Sequence, residues 1–193
     1  MVMSLRMSLS TPVTTGANGE GALVARARGG DPRAFEALVR THKDGVVNVA
    51  RRIVGDFDAA QDVAQDACIN AYRELRRFRG QSSFATWMYG ITVNEARMHL
   101  RSQRRRQARW EKQAALEARP AGAERSDASA EPLLALLQEV PEKHRVALSL
   151  FYLEELSLAE IAQAAGAPEG TVKAWLSRGR EQLRQLAKER GLL

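Results

Sequence analysis

The stretch FATWMYGITVNEARMHLRSQRRR, residues 84–106, puts aromatic side chains and a run of arginines on one helical pattern. That pairing suits unpaired nucleic-acid bases. A base stacked on an aromatic ring gains about 1–3 kcal/mol with little regard to its identity, while neighbouring guanidinium groups hold the adjoining phosphates. Phe84 has the spacing of a core residue, and Trp87 fits either a core or a stacking role. Tyr89 and Asn94 project from another part of the helix and are the better candidates for touching DNA. Arg97, Arg101 and Arg104 complete this first candidate site.

A second chemistry lies near the C-terminus. The run LSLAEIAQAAGAPEGTVKAWLSRGREQLR reads as a short helix, a tight glycine-containing turn and a longer basic helix, the order of a helix-turn-helix. Packing of Ile161 and Ala162 against Val172 and Leu176 would fix the crossing and leave Gly170, Thr171, Lys173, Ala174, Trp175, Arg178 and Arg180 near the major groove. Lysine and arginine there reach guanine edges or phosphates.

The charge distribution agrees. Formal net charge is +6 over 193 residues. Between Arg97 and Lys112 seven basic residues stand against Glu111 alone, so this one segment carries the whole excess. A concentrated excess of that kind is a footprint for phosphate. Elsewhere Asp58, Asp62, Gln65 and Asp66 gather on one side of a helical pattern, either as a solvated face or as a docking surface. Catalysis finds no comparable support, because no nucleophile or carboxylate cluster is apparent. Cys68 is the only cysteine, which excludes an intramolecular disulfide and a cysteine-based zinc site. His42, His99 and His144 share no ligand spacing, so neither a metal nor a cofactor is expected.

The elements that must position these residues are helical throughout; nothing alternates like a strand. Asp31 before Pro32 signals a helix start, and Phe35, Leu38, Val39, His42, Val46, Val49, Ala50 and Ile53 follow at steps of three and four. Gly45 interrupts that helix at roughly 1 kcal/mol relative to alanine, which packing can absorb. Asp58 with Gln61 suggests a capping box for the next helix, whose Val63, Ala67, Ala71 and Leu75 face inward. A third helix begins near Ser83 and runs into the basic segment. After an Ala, Glu, Ser and Gly-rich tether broken by Pro120 and Gly122, short helices follow up to Pro141 and through Val146, Leu148, Leu150 and Phe151. Ser157 and Glu160 form a capping box for a helix over residues 159–165; Gly166 ends it, and Pro168 opens the last long helix. The first twenty residues lack the long apolar core of a signal peptide or membrane span, so a cytoplasmic protein is expected. The expected organisation is all-α: a disordered start at 1–19, a helical domain at 20–112, a flexible linker at 113–130 and a second helical domain at 131–193.

QDVAQDACINAY resembles the core-binding helix of bacterial sigma factors. FRGQSSFATWMYGITVNEARMHLRSQRR is similar to their promoter-melting helix, and the C-terminal run is similar to their last helix-turn-helix. Order and spacing resemble the short, two-domain extracytoplasmic-function (ECF) class over about residues 20–106 and 131–188. The resemblance implies a transcription initiation factor that binds the RNA polymerase core enzyme, through Asp58, Asp62, Gln65 and Asp66. It implies minus-ten element contacts from Trp87, Tyr89, Asn94, Arg97, Arg101 and Arg104, and minus-thirty-five contacts from Gly170, Thr171, Lys173, Trp175, Arg178 and Arg180. An anti-sigma factor is an implied partner. Cys68, Gly90, Ala174 and Glu155 depart from the family pattern, Glu155 by replacing a common glycine. The rival expectation is a stand-alone helix-turn-helix regulator that binds duplex DNA unaided.

Overall fold

The computed structural model describes residues 17–116 and 132–192. Among them are eight α-helices, a single 3-10 turn at Leu75–Arg77 and no strand. The helices are α1 (Ala17–Arg28), α2 (Pro32–Val54), α3 (Phe57–Glu74), α4 (Phe84–Leu116), α5 (Pro132–Glu139), α6 (Glu142–Tyr152), α7 (Leu158–Ala165) and α8 (Glu169–Glu189).

Local chemistry sets most of the ends. Asp31 Oδ1 accepts from the N–H groups of Arg33 (3.0 Å) and Ala34 (3.2 Å) while Pro32 occupies the first turn, which satisfies two otherwise orphaned donors. Gly55, at φ 89°, closes α2 in the left-handed region, and its N–H donates to Arg51 O. The cap of α3 is Asp56, which accepts from Ala59 N–H at 2.7 Å, and not Asp58. The left-handed turn at Gly55 starts α3 early enough to place Asp58 inside its first turn, facing solvent. Ser83 Oγ accepts from Thr86 N–H at the head of α4. The Ser157–Glu160 capping box is present as expected, and Gly166 ends α7 at φ 65°.

Helices α2, α3 and α4 pack against one another with α1 alongside. Leu38, Val49 and Ile53 of α2, Val63, Ala67 and Ala71 of α3, and Phe84, Met88, Val93 and Ala96 of α4 are buried. In the second lobe α6 is the central element, with Val146 to Leu150 buried beneath α8 and α7. Gly179 lets α6 and α8 approach, since a Cβ there would lie 2.9 Å from Leu148 Cδ1.

Two helices reach past the expected boundaries. Helix α1 was not anticipated; it includes residues 17–19, and its Glu20 meets His42 of α2 at 3.3 Å. Residues 1–16 lie outside the described residues. Helix α4 continues through Leu116, past the expected linker start at 113, while 117–131 lie outside the described residues. The two lobes are also in contact: α7 packs on α4, and α5 and α6 pack on α2, so one buried cluster draws on both.

Candidate nucleic-acid interface

Helix α4 carries two faces. Phe84, Met88, Val93, Ala96 and Leu100 point into the first lobe. Trp87, Gly90, Asn94, Arg97, Arg101, Arg104, Ala108 and Lys112 recur at steps of three and four, which at about 100° per residue makes one continuous stripe on another side. Past Leu100 the helix leaves the body of the lobe, and Arg101, Arg104, Arg105, Arg106 and Arg109 are exposed. Asn94 is exposed as well. Trp87 is half-buried, its ring 4.9 Å from that of Phe78 and 5.6 Å from that of Phe84. Its ring packs on the core, and it also lines a cleft with Arg77, Arg79 and Gln81.

Tyr89 sits differently from the expectation. It is 7% exposed, and its hydroxyl donates to Glu154 Oε2 of the second lobe at 2.6 Å. Burial, with the Glu154 carboxylate beside it, pushes the phenol well above its ordinary range. Burial also raises Glu154, against the opposing effects of the Tyr89 hydrogen bond and of Arg52. In this arrangement Tyr89 faces protein rather than solvent. Gly45 of α2 makes the contact possible: a Cβ there would lie 2.3 Å from Tyr89 Oη and 2.9 Å from Glu154 Oε2.

Helix α7 lies over the first part of the stripe. Gly90 faces Ala164, whose Cα would be 3.4 Å from a Cβ at Gly90. Arg97 Nη1 donates to Ala165 O at 3.1 Å, and its Nε lies 3.3 Å from Glu142 Oε1. Arg104 approaches the other oxygen of Glu142 at 3.9 Å. Thr86 Oγ1 donates to Glu160 Oε1 at 3.1 Å, while Glu160 Oε2 accepts from Ser157. The Ser157 hydrogen bonds, side chain first, hold the Glu160 carboxyl below the usual range. Glu142 and Glu154 were not identified from sequence, and Glu160 only as a capping-box residue; single acids at a helix start or in the turn after α6 carry no local signal of a cross-lobe role.

On α3, Asp58, Asp62, Gln65 and Asp66 are all exposed. No hydrogen bond or ion pair among the described residues engages their side chains. Ile69 and Tyr72 continue the same face and are 41% and 51% exposed, an apolar continuation that their spacing from Asp62 and Asp66 would have revealed.

On α8, Val172, Leu176 and Gly179 turn inward with Ile161 of α7, as the helix-turn-helix reading requires. Gly170, Lys173, Arg178 and Arg180 are exposed; Thr171, Ala174 and Trp175 are half-buried. Arg178 and Arg180 stand about 160° apart around the helix, so they project to opposite sides of its exposed surface. No side-chain partner engages Lys173, Arg178 or Arg180 among the described residues.

Residues 38–106 match the family model for Sigma-70 region 2, and residues 130–183 match that for Sigma-70, region 4. The RNA polymerase sigma-H factor of Pseudomonas aeruginosa is 38% identical over 173 residues, spanning 83% of this chain and 90% of its own length. The ECF RNA polymerase sigma-E factor of Escherichia coli K12 is 35% identical with the same coverage. Among solved structures, CnrH in complex with the cytosolic domain of CnrY is similar with a TM-score of 0.67 at 23% identity, covering 88% of this chain and 97% of that one. The sigma factor RpoE from Bartonella quintana, in complex with the anti-sigma factor NepR, has a TM-score of 0.62 at 22% identity, covering 80% and 96%. At those identities the two structures speak for the fold.

Proposed function

The chain belongs to the bacterial sigma-70 family, in its ECF class, and directs RNA polymerase to promoters; on that premise we propose which of its side chains meet polymerase and which meet DNA. The exposed, unpaired acids Asp58, Asp62 and Asp66, with Gln65 beside them, dock the core enzyme. Ile69 and Tyr72 extend the same face with apolar area that a partner would cover. Trp87, Asn94, Arg97, Arg101 and Arg104 hold the minus-ten strand, joined by Tyr89 once the lobes part. Gly170, Thr171, Lys173, Trp175, Arg178 and Arg180 read the minus-thirty-five element.

The observation that carries this division is the segregation of exposed charge: carboxylates on α3, guanidinium groups on α4 and α8. Energetics supply the rest. Opening roughly ten base-pair steps at about 1.4 kcal/mol each costs on the order of 14 kcal/mol. Capture of one or two bases on aromatic rings returns about 1–3 kcal/mol each. The chain therefore recognises and traps bases, and polymerase provides the remaining free energy.

Sigma factors act without catalysis of their own, and the same is proposed here. CnrH was solved with the cytosolic domain of CnrY, and RpoE with the anti-sigma factor NepR, which supports an anti-sigma factor as a partner of this chain too. No helix among the described residues is long and apolar enough to cross a membrane. The cytoplasm, where polymerase and DNA meet, is the proposed place of action. A run-off transcription assay on genomic fragments tests the assignment. Core polymerase with this chain is expected to start at discrete positions that core alone ignores; the absence of such starts, with both components active, refutes it.

A further inference from the structure

Helix α4 runs on to Leu116, past residue 106 where the match to Sigma-70 region 2 ends, so its last part falls within neither family match. Beyond Leu100 it carries Arg101, Arg104, Arg105, Arg106, Arg109 and Lys112 against Glu111 alone, every one of them exposed. These cations do not share one face. At about 100° per residue, Arg101, Arg104 and Lys112 stay on the minus-ten stripe, whereas Arg105, Arg106 and Arg109 fall in an arc centred about 100° away from it. A strand lying along the stripe leaves that arc unused. Arg106 Nη1 donates to Ser102 Oγ and Arg109 Nε to Arg105 O, each at 3.3 Å, and no carboxylate engages any of the three among the described residues. Arg101 with Arg105, and Arg105 with Arg109, are like charges four residues apart, which repel one another in the free chain. An anionic partner would offset that repulsion.

We propose that Arg105, Arg106 and Arg109 form a second DNA site on α4, which holds the phosphate backbone of the duplex spacer between the minus-ten and minus-thirty-five elements, with Trp110 against the sugars of the same strand. The proposal rests on the reading above that the chain meets promoter DNA through α4.

Chain order gives the direction. The stripe starts at Trp87 and runs toward Leu116, from which the chain continues to the lobe proposed to read the minus-thirty-five element. The end of α4 therefore points along the paired DNA between the two elements. From Leu100 to Leu116 the helix advances about 24 Å, the length of about seven base pairs. Arginines on phosphates fix register and orientation without reading sequence, which suits a spacer. Trp110 is 47% exposed, meets no other ring among the described residues and stands about 40° beyond Arg106, at the margin of the arc. An anionic lipid surface fits less well. A helix lying in a membrane interface needs an apolar face, and the side of α4 away from the arc carries Gln103, Gln107 and Glu111.

Holoenzyme assembled from core polymerase and the full chain, bound to a promoter fragment found by run-off transcription, provides the test. Arg105→Ala with Arg106→Ala and Arg109→Ala is expected to lower the slope of log affinity against log salt by about 2–3, near 0.9 for each lost phosphate contact, with the helical circular-dichroism signal unchanged. Trp110→Ala removes no charge and is expected to weaken binding about threefold at an unchanged slope. Methylphosphonates, which take away phosphate charge, locate the contact. Placed in the spacer beside the minus-ten element, they are expected to weaken binding by the wild-type chain and to leave the triple variant no weaker than before. Equal weakening of both, or a triple variant with the wild-type salt slope, overturns the second site. So does a triple variant that loses binding to phosphatidylglycerol vesicles while its promoter binding stays intact. Arg104→Ala with methylphosphonates in the minus-ten strand tests the other face separately. Equal weakening of Arg104→Ala and wild type there removes the minus-ten assignment of Arg104, and a spacer arm that still responds keeps the second site.

Discussion

Glu155 holds φ at 53°, in the left-handed region that costs an L-residue roughly 1–2 kcal/mol. It is the only non-glycine residue there among the described residues. Glu155→Gly removes that strain at some cost in unfolded-chain entropy. The expected net gain is about 0.5–1 kcal/mol, read as a higher urea midpoint with an unchanged m-value. On α8, the base-contacting residues of a helix-turn-helix lie toward the start of the recognition helix. Lys173→Ala is therefore expected to relax sequence preference at one promoter position. Arg178→Ala, a turn further on, is expected to cost about 1–3 kcal/mol evenly across promoters and to lower the salt slope by about 1. Filter binding of holoenzyme to a set of promoter variants at several salt concentrations separates the two behaviours.

At the scale of elements, α3 and α4 divide the first lobe by charge. Val63, Ala67 and Ala71 bury one side of α3, which leaves Asp62, Gln65 and Asp66 outside with no internal partner. Such a face stabilises nothing in the free chain, so changing it should leave folding alone. Asp62→Ala with Gln65→Ala is expected to weaken core-polymerase binding at least tenfold, about 1.4 kcal/mol, while the helical circular-dichroism signal stays the same. Unaltered affinity in a pull-down titration removes α3 from the polymerase interface. Helix α4 shows the opposite economy. Its first half is a core element and its second half is an exposed basic rod, so one continuous helix carries arginines out from the packed lobe.

For the whole molecule, the cost of strand opening decides the behaviour. Helix α7 covers only the first part of the α4 stripe, and the chain lacks the free energy to part a duplex. With 2-aminopurine placed in the minus-ten element of a duplex promoter, fluorescence is expected to rise only when chain and core polymerase are both present. A rise with the chain alone would point to the stand-alone reading and against the division of labour.

The helices that carry the sites were legible in the linear order of residues because their signals are local. Asp31 with Pro32, the Ser157–Glu160 box, Gly166 and the spacing of apolar residues each act within a turn or two. Local energies of that kind also betray the exposed faces of α3 and α8, since a residue opposite a buried stripe must meet water. Helix α1 escaped notice because Gly19 and Gly21 weaken its propensity, and it is held instead by contacts such as Glu20 to His42. The burial of Tyr89 escaped notice for a related reason. Whether an aromatic ring at that angle meets solvent depends on Glu154, 65 residues away in sequence, and on the bare Gly45 that makes room for it. Long-range pairing of this kind leaves no periodic trace; only the packing of the second lobe onto the first decided which donors of α4 are already occupied.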